Sequence, residues 1–153
     1  MSLAVRAPLA GTVVSVENVP DPVFSAHLVG PGLAINPRRA DGADVTVAAP
    51  VAGTVVKMHP HAFVIETTGG RAVLVHLGLD TVALAGEGFT LHTHEGAVVD
   101  AGDPMITWSP AQVEASGRCP IVPVIALDAD PQALELAPQG TAVTGQDTAF
   151  TWS

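Results

Sequence analysis

His61-Ala-Phe-Val-Ile-Glu-Thr-Thr-Gly-Gly-Arg-Ala-Val-Leu-Val-His76 holds two short apolar runs on either side of Thr-Thr-Gly-Gly. The runs are rich in β-branched residues, and the glycine pair marks a turn, so the segment is predicted to be a β-hairpin. A turn centred between Thr68 and Gly69 places His61 opposite His76 and Glu66 opposite Arg71. Opposite charges facing across a ladder are favourable and support that register. In it Phe63 faces Leu74 on the histidine side, and Val64 faces Val73 on the other. Directly opposed Cβ atoms lie roughly 4.5–5.5 Å apart, close enough for two imidazoles to share a phosphoryl group or a metal ion.

The same pattern of short Val-rich runs punctuated by Gly and Pro extends along the chain, which has 15 glycines and 13 prolines in 153 residues. It argues for an all-β sandwich or barrel. At this length, with no linker or low-complexity tract, residues 1–153 are expected to form a single domain. One stretch repeats: Ala7-Pro-Leu-Ala-Gly-Thr-Val-Val-Ser-Val16 recurs as Ala49-Pro-Val-Ala-Gly-Thr-Val-Val-Lys-Met58. Two copies are too few for a solenoid and read as a duplicated strand motif. Glu95-Gly-Ala-Val-Val-Asp-Ala-Gly-Asp-Pro-Met-Ile106 is a looser third relative. Helix is expected from Pro110, capped by Ser109, to near Gly117, and from Asp130-Pro131 to about Leu136. A short turn is expected between Gly78 and Leu84.

Composition narrows the function. The formal charge is −9 and the six Lys and Arg cluster only at Arg38-Arg39, so nucleic acid is not an expected partner. No apolar stretch approaches the roughly 20 residues that span a bilayer, so no membrane insertion is expected. The lone Cys119 fits a reducing compartment and reads as a small buried hydrophobe. With no secretory signal at the N-terminus, the expected location is cytoplasmic.

Two chemistries compete for the histidine pair. In one, a neutral imidazole carries a phosphoryl group, its other nitrogen held by a hydrogen bond, while the second histidine binds the phosphoryl oxygens. In the other, histidines and a carboxylate hold zinc. His76-Leu-Gly-Leu-Asp80 with His92-Thr-His94 superficially supplies such a set, though the two elements are close in sequence. His92 and His94 read more simply as a solvated strand edge. Asp21 and Asp80 either cap turns or meet a partner's basic residues beside the histidines. Phe24, Leu28, Val29, Leu74, Leu77 and Val82 are either core or an apolar docking patch.

The strings His61-Ala-Phe-Val-Ile-Glu66, Val75-His-Leu-Gly-Leu-Asp-Thr-Val-Ala-Leu84 and Gly86-Glu-Gly-Phe89 resemble the glucose-type enzyme IIA domain. That domain belongs to the bacterial phosphoenolpyruvate-dependent sugar phosphotransferase system. Ala7-Pro-Leu-Ala-Gly11, Val19-Pro-Asp-Pro-Val-Phe24, Val29-Gly-Pro-Gly-Leu-Ala-Ile35 and Ala49-Pro-Val-Ala-Gly-Thr54 match it in the same order. The resemblance covers nearly the whole chain and weakens after about residue 108. It implies a β-sandwich of the duplicated hybrid-motif type with a few short helices. It further implies that His76 accepts a phosphoryl group from the phosphocarrier HPr and passes it to a cysteine on a IIB domain. His61 would stabilise the phosphohistidine, and the Gly78 carbonyl would fix the His76 tautomer. Asp21 and Asp80 would meet basic residues of HPr, and the apolar residues named above would form the docking surface. No metal or organic cofactor is required, although His61 and His76 are available to an adventitious zinc ion. Regulated permeases or metabolic enzymes are further expected partners of the same face. The resemblance leaves glucose, N-acetylglucosamine and β-glucosides open as the sugar.

Three departures from the family stand out. His59 occupies the position where better-known members carry threonine, in a shortened loop, Lys57-Met-His-Pro-His61. Leu74 and Leu77 replace aromatic residues. The amphipathic N-terminal tail of some members is not seen before the motif at Ala7.

Overall fold

The computed structural model describes residues 2–39 and 42–153. Its strands are β1 (Leu3–Arg6), β2 (Gly11–Ser15), β3 (Gly32–Pro37), β4 (Val45–Ala48), β5 (Gly53–His59), β6 (Ala62–Glu66) and β7 (Ala72–His76). They continue with β8 (Thr90–Leu91), β9 (Val98–Val99), β10 (Pro104–Trp108), β11 (Val122–Ala126), β12 (Leu134–Leu136), β13 (Ala142–Val143) and β14 (Thr148–Trp152). A large sheet runs β13-β2-β3-β11-β7-β6-β5-β9, and two small ones run β1-β14-β12 and β4-β10-β8. Inward side chains of all three meet in one core, among them Val5, Phe150 and Trp152, Val47, Ile106 and Trp108, and Phe63, Ile65, Val75 and Val124. The fold is an all-β sandwich.

The duplicated motif organises it. Ala48 N–H donates to the Pro8 carbonyl at 2.8 Å, and Arg6 N–H donates to the Pro50 carbonyl at 2.9 Å, so the two Ala-Pro turns bind one another reciprocally. Ala7 N–H donates to Asp147 O and Ala49 N–H to Asp103 O, both at 2.8 Å. Likewise β1 pairs with β14 as β4 pairs with β10, and β13 pairs with β2 as β9 pairs with β5. The 95–106 segment is therefore not a third copy of the Ala-Pro motif. It is the partner of the second copy, and its own counterpart is Gln139-to-Phe150, which partners the first.

The central hairpin forms, shifted by one residue from the sequence expectation. Ala62 pairs with His76, Phe63 with Val75, Val64 with Leu74, Ile65 with Val73 and Glu66 with Ala72. Thr67 N–H donates to Arg71 O at 2.8 Å, and Gly70 N–H donates to Thr67 O at 2.9 Å. A two-residue turn at Thr68-Gly69 would need positive φ at Thr68 in either favoured hairpin type, which a β-branched residue resists. The chain instead uses a three-residue loop with Gly70 at φ 84°. A one-residue slip exchanges the faces. Phe63 and Ile65 point into the core with Val73 and Val75, and Val64 shares the outer face with Leu74 and His76. Glu66 does not face Arg71, whose guanidinium donates to Trp152 O at 2.6 Å and lies over the Trp152 ring.

Two helices are present among the described residues. Pro110–Ala115 (α2) lies where expected, with Gln112 N–H donating to the Ser109 side chain. Pro22–Ser25 (α1) was not anticipated and is capped by Asp21, which accepts from Val23 N–H at 3.0 Å. The helix expected from Asp130 is only a 3₁₀ turn at Pro131–Ala133. Leu134–Leu136 then pairs as β12 with β14. The α1 segment closes a second apolar cluster of Val16, Val19, Phe24, Ala34, Leu79, Ile121 and Ile125. Leu74 and Cys119 pack against it, half-buried. No helix among the described residues is long and apolar enough to cross a membrane.

Candidate functional site

His76 ends β7 on the outer face of the large sheet, half-buried beside the second cluster. The chain then turns through Leu77-Gly78-Leu79-Asp80 into a 3₁₀ turn at Thr81–Leu84. His76 Nδ1 lies 2.6 Å from the Gly78 carbonyl oxygen, so it donates its proton there. This leaves Nε2 with a free lone pair. Gly78 reaches that geometry at φ 78°, and a Cβ on it would lie 2.8 Å from the Thr81 methyl and 3.0 Å from Cys119 O. The loop is held by Leu77 N–H to His61 O at 2.7 Å, Gly78 N–H to Ile121 O at 3.0 Å and Leu79 N–H to Cys119 O at 2.8 Å. Arg118 Nε donates to Asp80 O at 3.2 Å.

His61 and His76 come together by a route other than the expected one. His59 pairs with Ala62, leaving Pro60 and His61 as the turn between β5 and β6. Outside the pleat, His61 places its ring 5.1 Å from that of His76 at 71°, although its backbone is bonded to Leu77. His59 stacks on His61, its ring 5.8 Å away at 24°. Phe24 meets His76 edge-on at 5.4 Å.

Burial holds His76 below the ordinary histidine value, outweighing the Gly78 hydrogen bond and the nearby Asp21 and Asp80 carboxylates, which push upward. His61 is lowered by burial first, then by the neighbouring imidazoles of His76 and His59. Both rings are thus neutral at pH 7, the state in which an imidazole nitrogen is a nucleophile.

The other candidate residues divide clearly. Leu28 and Val82 are 69% and 66% exposed, and Val23, not singled out in the sequence, is 41% exposed on α1. Val29 and Leu74 are half-buried, and Phe24 is almost wholly buried. Leu77 is 0% exposed in the main core and has no surface to offer a partner, which corrects its place in the docking patch. It follows His76 in sequence, so the pleat turns it to the opposite face. Asp21 is the α1 cap, and Asp80 is exposed at φ 59°. His92 is hydrogen-bonded to Thr107 Oγ1 at 2.6 Å and His94 to Glu95 O at 3.0 Å, both at the surface. Among the described residues no three His, Cys, Asp or Glu side chains group as metal ligands.

A β-sandwich that presents one tautomer-fixed, neutral histidine beside a second one has the features of a phosphohistidine carrier. Residues 3–131 match the family model described as phosphoenolpyruvate-dependent sugar phosphotransferase system, EIIA 1. The chain is 42% identical over 128 residues to the glucose-specific EIIA component of Halalkalibacterium halodurans, covering 82% of this chain and 71% of that one. It is 41% identical over 143 residues to the N-acetylglucosamine-specific EIICBA component of Klebsiella pneumoniae, covering 92% of this chain and only 21% of that one. Its fold superimposes on the glucose permease IIA from Mycoplasma capricolum with a TM-score of 0.88 at 33% identity, covering 99% of this chain and 96% of that one. The chain belongs to the EIIA 1 family of the sugar phosphotransferase system. It is a phosphoryl carrier, and so a phosphotransferase component, of that system.

Proposed function

We propose that His76 is the phosphoryl acceptor, that HPr is the donor, and that a cysteine on a IIB domain is the next acceptor. The single observation that carries this is the 2.6 Å contact between His76 Nδ1 and the Gly78 carbonyl, which directs the lone pair to Nε2. Nε2 attacks the phosphorus of phospho-HPr. The new N–P bond forms as the donor's N–P bond breaks, and the electron pair returns to the donor imidazole. In the second transfer a cysteine thiolate forms an S–P bond and His76 recovers its neutral ring. Such transfers depend on positioning and on stabilising charge.

The phosphorylated ring is cationic and keeps its Nδ1 proton on Gly78 O, while Asp21 and Asp80 favour that charge. His61, 5.1 Å away between ring centres, donates to the phosphoryl oxygens. Leu28, Val82 and the exposed edge of α1 form the docking face, and Asp21 and Asp80 meet basic residues of the donor. The fusion of an EIIA segment with IIB and IIC in the Klebsiella pneumoniae relative supports IIB as the recipient. We place the chain, as one domain, in the cytoplasm.

The test is incubation with phosphoenolpyruvate, enzyme I and HPr, followed by mass measurement. The wild type should gain about 80 Da as one acid-labile phosphoryl group. His76→Ala should gain nothing. His61→Gln should gain the group but fail to pass it to IIB. Labelling of His76→Ala to the wild-type level would overturn the assignment.

A further inference from the structure

We propose that Thr81 is a positioning residue for the acceptor: its hydroxyl fixes the Leu77–Gly78 peptide so that His76 keeps its proton on Nδ1. This deepens the reading of His76 given above and rests on it. Among the described residues only Thr81 and Ser109 are buried polar side chains, and Ser109 is used as the cap of α2. Thr81 is 0% exposed, and its Oγ1 donates to the Leu77 carbonyl at 2.7 Å. A hydroxyl withdrawn completely from water needs such a partner, and its partner here is the residue between His76 and Gly78.

The surrounding bonds give that contact its consequence. Leu77 N–H is bonded to His61 O, Gly78 N–H to Ile121 O, and Gly78 O receives the His76 proton. Thr81 supplies the fourth tie, at the Leu77 carbonyl. That carbonyl belongs to the peptide that leads into Gly78, so holding it fixes the plane from which Gly78, at φ 78°, turns its own carbonyl toward His76. The Thr81 methyl lies where it would be 2.8 Å from a Cβ on Gly78, so the same side chain also packs against the glycine. One small residue therefore holds both halves of the dipeptide that reads the His76 tautomer. The tie extends to the second histidine, because Leu77 N–H is bonded to the His61 backbone.

A turn residue that only stabilised the fold would lower melting temperature and leave the tautomer alone. Thr81→Val removes the hydroxyl at nearly constant volume, and long-range proton–nitrogen NMR on ¹⁵N-histidine protein reads the tautomer at pH 8. In Thr81→Val, His76 should show a new Nε2–H population. Its single-turnover rate from phospho-HPr should fall roughly tenfold, the loss expected for one buried hydrogen bond, with the apparent affinity for phospho-HPr unchanged. Thr81→Ser keeps the hydroxyl and should restore both readouts. A Thr81→Val protein with His76 wholly in the Nδ1–H form and an unchanged rate overturns the proposal, as does a Thr81→Ser protein as impaired as Thr81→Val.

Should Thr81→Val not fold, the wild type supplies its own test. The Thr81 hydroxyl proton should exchange slowly with solvent and show scalar coupling to the Leu77 carbonyl carbon; fast exchange without coupling overturns the proposal. The tautomer is read on unphosphorylated protein. If the His76 tautomer shifts in Thr81→Val while the wild type never accepts phosphate, the acceptor reading is sunk and the positioning role is sustained.

Discussion

His76 donates its Nδ1 proton to the carbonyl of Gly78, two residues further along the same chain, at 2.6 Å. So short a loop makes the bond possible only because Gly78 adopts φ 78°, folding its carbonyl back toward the ring. The arrangement leaves Nε2 as the sole nitrogen with an available lone pair.

Gly78→Ala should disturb both stability and chemistry. A left-handed alanine is strained by about 1–2 kcal/mol, before any contact is counted. Its Cβ would also press on the Thr81 methyl and Cys119 O, at 2.8 and 3.0 Å. Thermal unfolding should show at least that loss, and phosphoryl acceptance by the folded protein should slow. An unchanged melting temperature and rate would contradict this account of the loop.

The pH dependence has a defined sign. His76 and His61 both titrate below the ordinary value of 6.5 in the folded protein. The unfolded chain therefore binds more protons in that range, and their contribution to stability is complete above about pH 6.5 and declines as pH falls through the folded values. NMR titration should place both inflections below 6.5, and chemical denaturation should show stability falling with acid through the same window. An inflection at or above 6.5 for His76 would mean that burial does not govern it.

His59→Ala probes the stacked neighbour. His59 lowers His61 through the repulsion of adjacent protonated rings, so its removal should raise the His61 pKa. His76 should still accept phosphate, because its bond to Gly78 is untouched. The measurement is the His61 titration by NMR, and a downward shift would be the contrary result.

Leu77 and the pair Leu28 and Val82 should behave oppositely. Leu77→Ala creates a core cavity and should destabilise the protein by about 2–5 kcal/mol, with little effect on HPr affinity of the folded form. Leu28→Ala and Val82→Ala act at exposed positions and should change stability by no more than about 0.5 kcal/mol while weakening HPr binding. Calorimetry of unfolding and of HPr binding separates the two groups.

The sandwich was legible because Ala7-to-Val16 and Ala49-to-Met58 retain the same turn and strand chemistry. Their partner segments, 95–106 and 139–150, share only Gly96 and Gly140, Val99 and Val143, and Asp103 and Asp147. Paired edges tolerate such divergence, so the reciprocal arrangement emerged only from the hydrogen bonds. The hairpin register depended on which glycine took positive φ, and a charge match between Glu66 and Arg71 favoured the wrong one. His61 nevertheless meets His76, through a turn that breaks the pleat. Leu77 could have been assigned to the core from alternation alone, because His76 faces outward. The α1 helix, four residues long, has no periodicity to read, and Asp21-Pro22 was its signal. Thr81 gave no sign in the sequence, since its importance lies in burial.

The most direct test is the position of the phosphoryl group. Protein labelled with ¹⁵N-histidine and phosphorylated by phospho-HPr should show phosphorus coupled to Nε2 of His76, with the proton still on Nδ1. Phosphorus on Nδ1 of His76, or on His61, would contradict the mechanism at its centre.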